Sequence, residues 1–246
     1  MFLLLLAAAP APLHAERVTP FAPGERLTFA LRWSVIPAGE AVLEVLPMET
    51  IQETRAFHFR LTAQSNAFMD LFYKVRDRID SYVDAEVTRG LHYEKVQHEG
   101  KAQRNVRVVF DWRKGTAQYS DEKRTRAPIA IPPGTFDPLS VFFYSRLLPW
   151  EENLLIQCPV TDGVKYIQGR GRIVQRQTLC IGDRTYDTFL IEPDMEHISG
   201  VFEKRKNAKI KVWVTADAKR IPVKVTSKAP VGTFVGELLT IEEGVR

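Results

Sequence analysis

Residues 26–33 read Arg-Leu-Thr-Phe-Ala-Leu-Arg-Trp. Leu27, Phe29, Leu31 and Trp33 alternate with Arg26, Thr28, Ala30 and Arg32, so one side of an extended chain is apolar. A period of two marks a half-buried strand, because successive side chains leave a pleated backbone on opposite faces. Pro37-Ala38-Gly39 then turns the chain into a second extended stretch at 40–46. In 57–63, Phe57, Phe59, Leu61 and Ala63 alternate with His58, Arg60 and Thr62. The pattern returns at 79–83, and again where Val106, Val108, Phe110 and Trp112 alternate with Asn105, Arg107, Val109 and Asp111. Further strands are expected at 154–160, 164–168, 173–181, 185–192, 209–215, 221–227 and 233–241. About a dozen short strands spaced by turn residues make an all-β chain, an antiparallel barrel, half-barrel or sandwich. Alternation cannot separate these, since each strand alternates identically in all three.

Two segments break the pattern and add one or two short helices. Residues 66–73 (Asn-Ala-Phe-Met-Asp-Leu-Phe-Tyr) read as a short amphipathic helix or an irregular crossing. At Asp137-Pro138-Leu139-Ser140 the signals are stronger: Asp137 suits the N-cap, Pro138 suits the first helical position, and an apolar run at 141–148 follows until Pro149. Val141, Phe142, Phe143, Tyr144, Leu147 and Leu148 make this helix apolar nearly all round, which predicts burial inside the sheet or across its mouth. The loop Ile129-Ala130-Ile131-Pro132-Pro133-Gly134 precedes it, and two halves of one domain spanning 16–246 would meet near 127–136.

With 246 residues, 45% of them apolar and 26% charged, the chain is long enough for a sizeable core and too apolar to be disordered. A net charge of +4 is too small to imply a nucleic-acid partner. Residues 1–15 carry no acidic or basic side chain other than His14. Residues 2–9 are an unbroken apolar run, and Ala15 precedes the first charge at Glu16. This reads as a secretory signal cleaved near Ala15, hence a periplasmic protein, although no Lys or Arg precedes the run and Leu13 is large for its place. An apolar first strand is the alternative. In an oxidising compartment Cys158 and Cys180 would have the opportunity to pair. If they stand on the first and third strands of a meander they lie beyond disulfide reach, so the pairing stays open.

Chemistry-bearing motifs are sparse. No GxSxG, HExxH, Walker loop or CxxC is present. His92 and His98 lie six apart without a third ligand, which reads as a surface pair and not a metal site. Asp70, Asp77, Asp80 and Asp84 are interleaved with Lys74, Arg76 and Arg78 and read as a solvated, charge-balanced face. Ser140 has no base nearby in sequence. Gly169-Arg170-Gly171-Arg172 reads as a tight turn with exposed arginines. Lys204, Arg205, Lys206 and Lys209 form the densest basic patch, either a site for anionic headgroups or a charged hairpin that discourages aggregation. No catalytic residue, cofactor or metal is expected.

Phe21-Ala22-Pro23-Gly24-Glu25-Arg26-Leu27-Thr28-Phe29 with Ala38-Gly39-Glu40-Ala41 resembles the opening of an exported bacterial family, number 3108 in the domain-of-unknown-function series. Asp137-Pro138-Leu139-Ser140 with the following helix resembles that family's central helix. Lys211-Val212-Trp213-Val214-Thr215, Asp217, Arg220-Ile221-Pro222-Val223 and Val231-Gly232 resemble its end. The likeness spans roughly residues 21–241, leaves both cysteines outside its motifs, and implies an envelope-associated β-rich domain with no catalytic residues to carry over. Three functions follow. The first is a periplasmic carrier for an apolar, lipid-like ligand, lined by Trp33, Phe59, Phe142, Phe143 and Leu147 under a helical lid. The second is an envelope scaffold that binds a protein or an anionic membrane surface. An enzyme with scattered site residues comes last.

Overall fold

The computed structural model describes residues 19–194, 209–229 and 232–245. The signal-like segment 1–15 and the basic residues Lys204, Arg205 and Lys206 lie outside the described residues. Among the described residues, fourteen strands make one antiparallel sheet: β1 (Arg26–Trp33), β2 (Ile36–Ile51), β3 (Thr54–Ser65), β4 (Val75–Asp84), β5 (Gly90–Glu99), β6 (Ala102–Asp111), β7 (Thr116–Asp121), β8 (Ile129–Ala130), β9 (Leu155–Thr161), β10 (Tyr166–Ile181), β11 (Arg184–Asp194), β12 (Lys209–Thr215), β13 (Pro222–Ala229) and β14 (Gly232–Glu242). Helix α1 (Ala67–Asp70) joins β3 to β4, and α2 (Ser140–Ser145) lies between β8 and β9. The spatial order runs from β8 down to β1, then β14, then down to β9. Every neighbouring pair is consecutive in the chain except β1 with β14, which ties the first strand to the last.

The sheet is not closed by a β8–β9 ladder, yet it curls until its two ends meet. At the β9–β10 turn, a Cβ added to Gly163 would lie 2.8 Å from Val108 of β6 and 3.1 Å from Tyr119 of β7. Phe136, in the connection that crosses between the edges, makes one parallel bridge to Val160 of β9. Its neighbour Thr135 accepts from the Gly90 N–H of β5 at 3.0 Å. The crossing segment therefore fills the seam that the sheet leaves open.

Several strands exceed the expected lengths because bulges absorb the breaks in alternation. β2 runs through Pro37, with a register shift opposite Leu31/Arg32 and another between Leu46 and Glu49. Gly39 is required there: a Cβ would sit 1.9 Å from the Gln64 carbonyl oxygen of β3. The strand expected at 164–168 starts at Tyr166 and runs on through 173–181 as one strand, β10, with a bulge between Ile173 and Gln175. This corrects the expectation of a tight turn at 169–172. Arg170 and Arg172 are exposed, but the glycines lie within the strand, where a Cβ on Gly169 would meet Val160 Cγ2 at 2.9 Å.

The same strand settles the cysteines. Cys158 on β9 pairs in register with Gly169 on β10, whereas Cys180 lies eleven residues further along β10. At about 3.3 Å per residue that is on the order of 30 Å, so no disulfide forms. Both thiols are free, Cys158 buried and Cys180 exposed.

Candidate functional site

The helix expected at 141–148 is the shorter α2, and it sits in the interior of the curled sheet. Its regular bonding stops at Ser145. The next N–H groups, of Arg146, Leu147 and Leu148, donate to Phe143, Tyr144 and Ser145, three residues back, so the segment tightens into turns before Pro149. Asp137 caps its start as the sequence implies: Oδ1 accepts from the Leu139 and Ser140 N–H groups at 2.9 and 3.0 Å. Oδ2 accepts from the hydroxyls of Ser140 and of Ser81 on β4, both at 2.7 Å. Burial pushes the Asp137 carboxyl above its ordinary range, against the pull of these hydrogen bonds. Ser140 is thus a capping residue spent on Asp137.

Beyond the cap, Phe143 is wholly enclosed and stacks on Phe59 of β3, with ring centroids 3.7 Å apart. Phe21 meets the rings of Phe57, Phe59 and Phe143 edge-on at 5.2–5.5 Å. One turn later Arg146, the largest fully buried side chain among the described residues, donates to both carboxylate oxygens of Glu25 at 2.6 and 3.0 Å. It also donates to the Lys219 carbonyl at 2.9 Å, and its guanidinium lies 5.2 Å from the Phe21 ring. Arg220 donates to the Arg146 carbonyl at 2.9 Å and lies over Trp150. The N-terminal arm, the helix and the β12–β13 turn are thereby locked together.

Of the residues expected to line a ligand site, Phe59 and Phe143 occupy each other's apolar faces. Phe142 and Leu147 are half-buried beside them, and Phe142 packs against both apolar clusters of the interior. Trp33 is elsewhere, at the far end of β1 opposite Phe234 and Ile36. Of the basic patch, Lys209 begins β12, an interior strand of the sheet and not an edge, where it is in register with Lys228.

The face of β2–β6 away from α2 carries a polar ladder that local sequence did not reveal. His58, only 3% exposed, bridges Glu49 through Nδ1 at 2.7 Å and Asp80 through Nε2 at 2.8 Å. Asp80 also meets Arg60 at 2.7 Å and Arg78 at 2.9 Å. Burial pushes its carboxyl up, but the hydrogen bonds from His58 and Arg60 and the charges of Arg60 and Arg78 outweigh this and hold it below the ordinary range. Tyr82 stacks on His58 at 4.2 Å, and burial with the surrounding carboxylates lifts its phenol to about 12. Next along, His92 and Arg107 both bind Glu94.

The acidic series is therefore not a solvated face throughout. Asp80 is 3% and Asp84 5% exposed, the latter accepting from Thr88 and from the Arg89 N–H. Cross-strand pairing provides counter-charges that the linear order does not show. His98 is exposed and joins neither His92 nor Asp80. No three metal-ligating side chains converge among the described residues. In the polar ladder both ring nitrogens of His58 and both oxygens of Asp80 are engaged, an arrangement that pins β2, β3 and β4 together.

No helix among the described residues is long and apolar enough to cross a membrane. The family described as "Protein of unknown function (DUF3108)" matches residues 28–239, and the chain belongs to it. No curated protein matches the sequence. In fold the chain is similar to a beta-barrel-like protein of domain of unknown function DUF1849 from Brucella abortus, at a TM-score of 0.58 and 11% identity over 92% of this chain and 99% of that one. A lipoprotein candidate from Parabacteroides distasonis aligns at a TM-score of 0.36 and 7% identity over 91% of this chain and 98% of that one, too distant to carry an argument.

Proposed function

We propose that this member of the DUF3108 family is an exported, non-catalytic docking module of the cell envelope, built around a filled interior. The observation that carries the reading is the Phe143–Phe59 stack at 3.7 Å, sealed by Phe21 and by the buried Arg146–Glu25 pair. A lid must leave an apolar face for its ligand, whereas here the helix spends its most buried ring on the sheet itself. Export rests on the apolar run and small residue at 1–15.

A second reading keeps the carrier. Phe142 and Leu147 are half-buried, and Phe142 borders both apolar clusters, so a lipid-like chain would enter between them. Native mass spectrometry of the protein purified without detergent separates the two. A mass without added ligand is expected. A reproducible stoichiometric lipid, released on unfolding, would overturn the docking module and put the carrier first.

A further inference from the structure

The end of the sheet bearing the β1–β2, β3–β4 and β5–β6 turns is apolar where it meets water. Val35 is 87% exposed, Phe68 55%, Leu71 79%, Phe72 73% and Tyr73 47%. Single exposed apolar side chains are ordinary, but a contiguous group marks an interaction surface. These residues are contiguous because their turns touch. The Asn66 N–H donates to the Ala38 carbonyl at 2.9 Å, and its side-chain amide donates to the Pro37 carbonyl at 2.8 Å. Phe68 and Phe72 meet at 5.4 Å. Tyr73 reaches the third turn, its ring 2.9 Å from where a Cβ on Gly100 would stand.

The tip is built, not frayed. Gly39 lets β2 and β3 approach closely at its base, and Arg76 grips Asp70 at 2.7 Å while Ser65 donates to the same carboxylate. Five consecutive N–H groups are satisfied within the loop. Met69 donates to Asn66 Oδ1, Asp70 to the Asn66 carbonyl, Leu71 to Phe68, and Phe72 and Tyr73 to Met69. These bonds leave none of the five donors reliant on water, a condition a loop must meet before it can enter lipid.

Charge selects the occupant. Lys74 and Lys101, both exposed, follow directly on Tyr73 and Gly100, whose ring and backbone are in contact. Protruding apolar side chains, an aromatic hydroxyl and two neighbouring cations supply the groups that the acyl, interfacial and phosphate levels of a bilayer surface take up. We infer that this end is a membrane-docking tip. Phe68, Leu71, Phe72 and Val35 enter the acyl region of an anionic leaflet, Tyr73 lies at the interface, and Lys74 and Lys101 meet headgroup phosphates. The inference rests on the docking-module reading and names what is docked.

Flotation of the full chain with vesicles of phosphatidylglycerol and phosphatidylethanolamine tests it, with phosphatidylcholine vesicles as the uncharged comparison. The substitutions remove exposed groups, so the thermal midpoint should stay unchanged. Leu71→Asp with Phe72→Asp should lower partitioning by about tenfold or more. Lys74→Glu with Lys101→Glu should lower it by about tenfold on the anionic vesicles only. Phe72→Trp should add emission that lipids brominated on their acyl chains quench. Failure of the parent to float with anionic vesicles, or equal flotation of the Leu71/Phe72 variant, overturns the proposal. So does a solution dimer that this variant dissociates, which would assign the patch to a second copy. A ligand-free native mass without flotation would leave the docking module standing and remove the membrane. A stoichiometric lipid with tip-dependent flotation would do the reverse.

Discussion

Arg146 and Glu25 lie 121 positions apart in the chain and form a two-pronged ion pair in the interior, with Arg146 fully enclosed. The pair joins the helix inside the sheet to the segment that leads into β1. A charge buried this deeply is tolerable only while its partner and hydrogen bonds are present.

Removing one member should therefore cost far more than removing both. Arg146→Met is expected to lower unfolding free energy by about 3–5 kcal/mol, since Glu25 is left unpaired. Adding Glu25→Leu to that variant should restore part of the loss. Urea unfolding of the two single variants and the double variant measures the difference, and a double-variant loss equal to the sum of the two single losses would mean the two side chains act independently.

Phe143→Ala should cost about 3–5 kcal/mol through the cavity it opens against Phe59 and Phe21. If the helix is core and not lid, the variant's native mass should match the substituted chain alone, as for the parent. Denaturant midpoints and native mass spectra check both parts.

The Asp80 carboxyl is held below its ordinary range by His58, Arg60 and Arg78 despite burial. A depressed folded value means that its stabilising contribution is present above the unfolded value of about 3.9 and is lost as pH falls through the folded value. Asp80→Asn should therefore be less stable than the parent at neutral pH, and the gap should narrow on acidification. Thermal midpoints from neutral pH down to about 3 follow this. A constant gap would show that the carboxylate charge plays no part.

The two thiols should differ sharply. Burial pushes the Cys158 thiol up to about 11, while Cys180 is exposed. A thiol reagent should modify one cysteine rapidly in the native protein and two after unfolding. The intact mass should not rise by two hydrogens on reduction. Two equally fast native reactions would contradict the burial of Cys158.

Much of the architecture was legible because it depends on neighbours in sequence. The alternation at 26–33, 57–63 and 105–112 marks β1, β3 and β6, and Asp137 does cap the helix inside the sheet. Strand lengths were less legible. Proline and glycine at 37–39 and 169–171 resemble turns, but in β2 and β10 they sit in bulges or beneath a neighbour's side chain. The polar ladder was missed for a different reason. His58 and Asp80 are 22 positions apart, and only the register of β3 on β4 brings them to 2.8 Å.

The sequence by itself determined the period of each strand, the helix cap and the all-β class, since these follow from backbone geometry over a few residues. Only the tertiary structure decided that β1 pairs with β14, that Arg146 meets Glu25, that Cys158 and Cys180 stay apart, and that two turns gather their apolar side chains at one end beside a third that carries Lys101. Alternation tells which way a side chain points. What it points at depends on register and curvature, which the whole sheet sets as it curls.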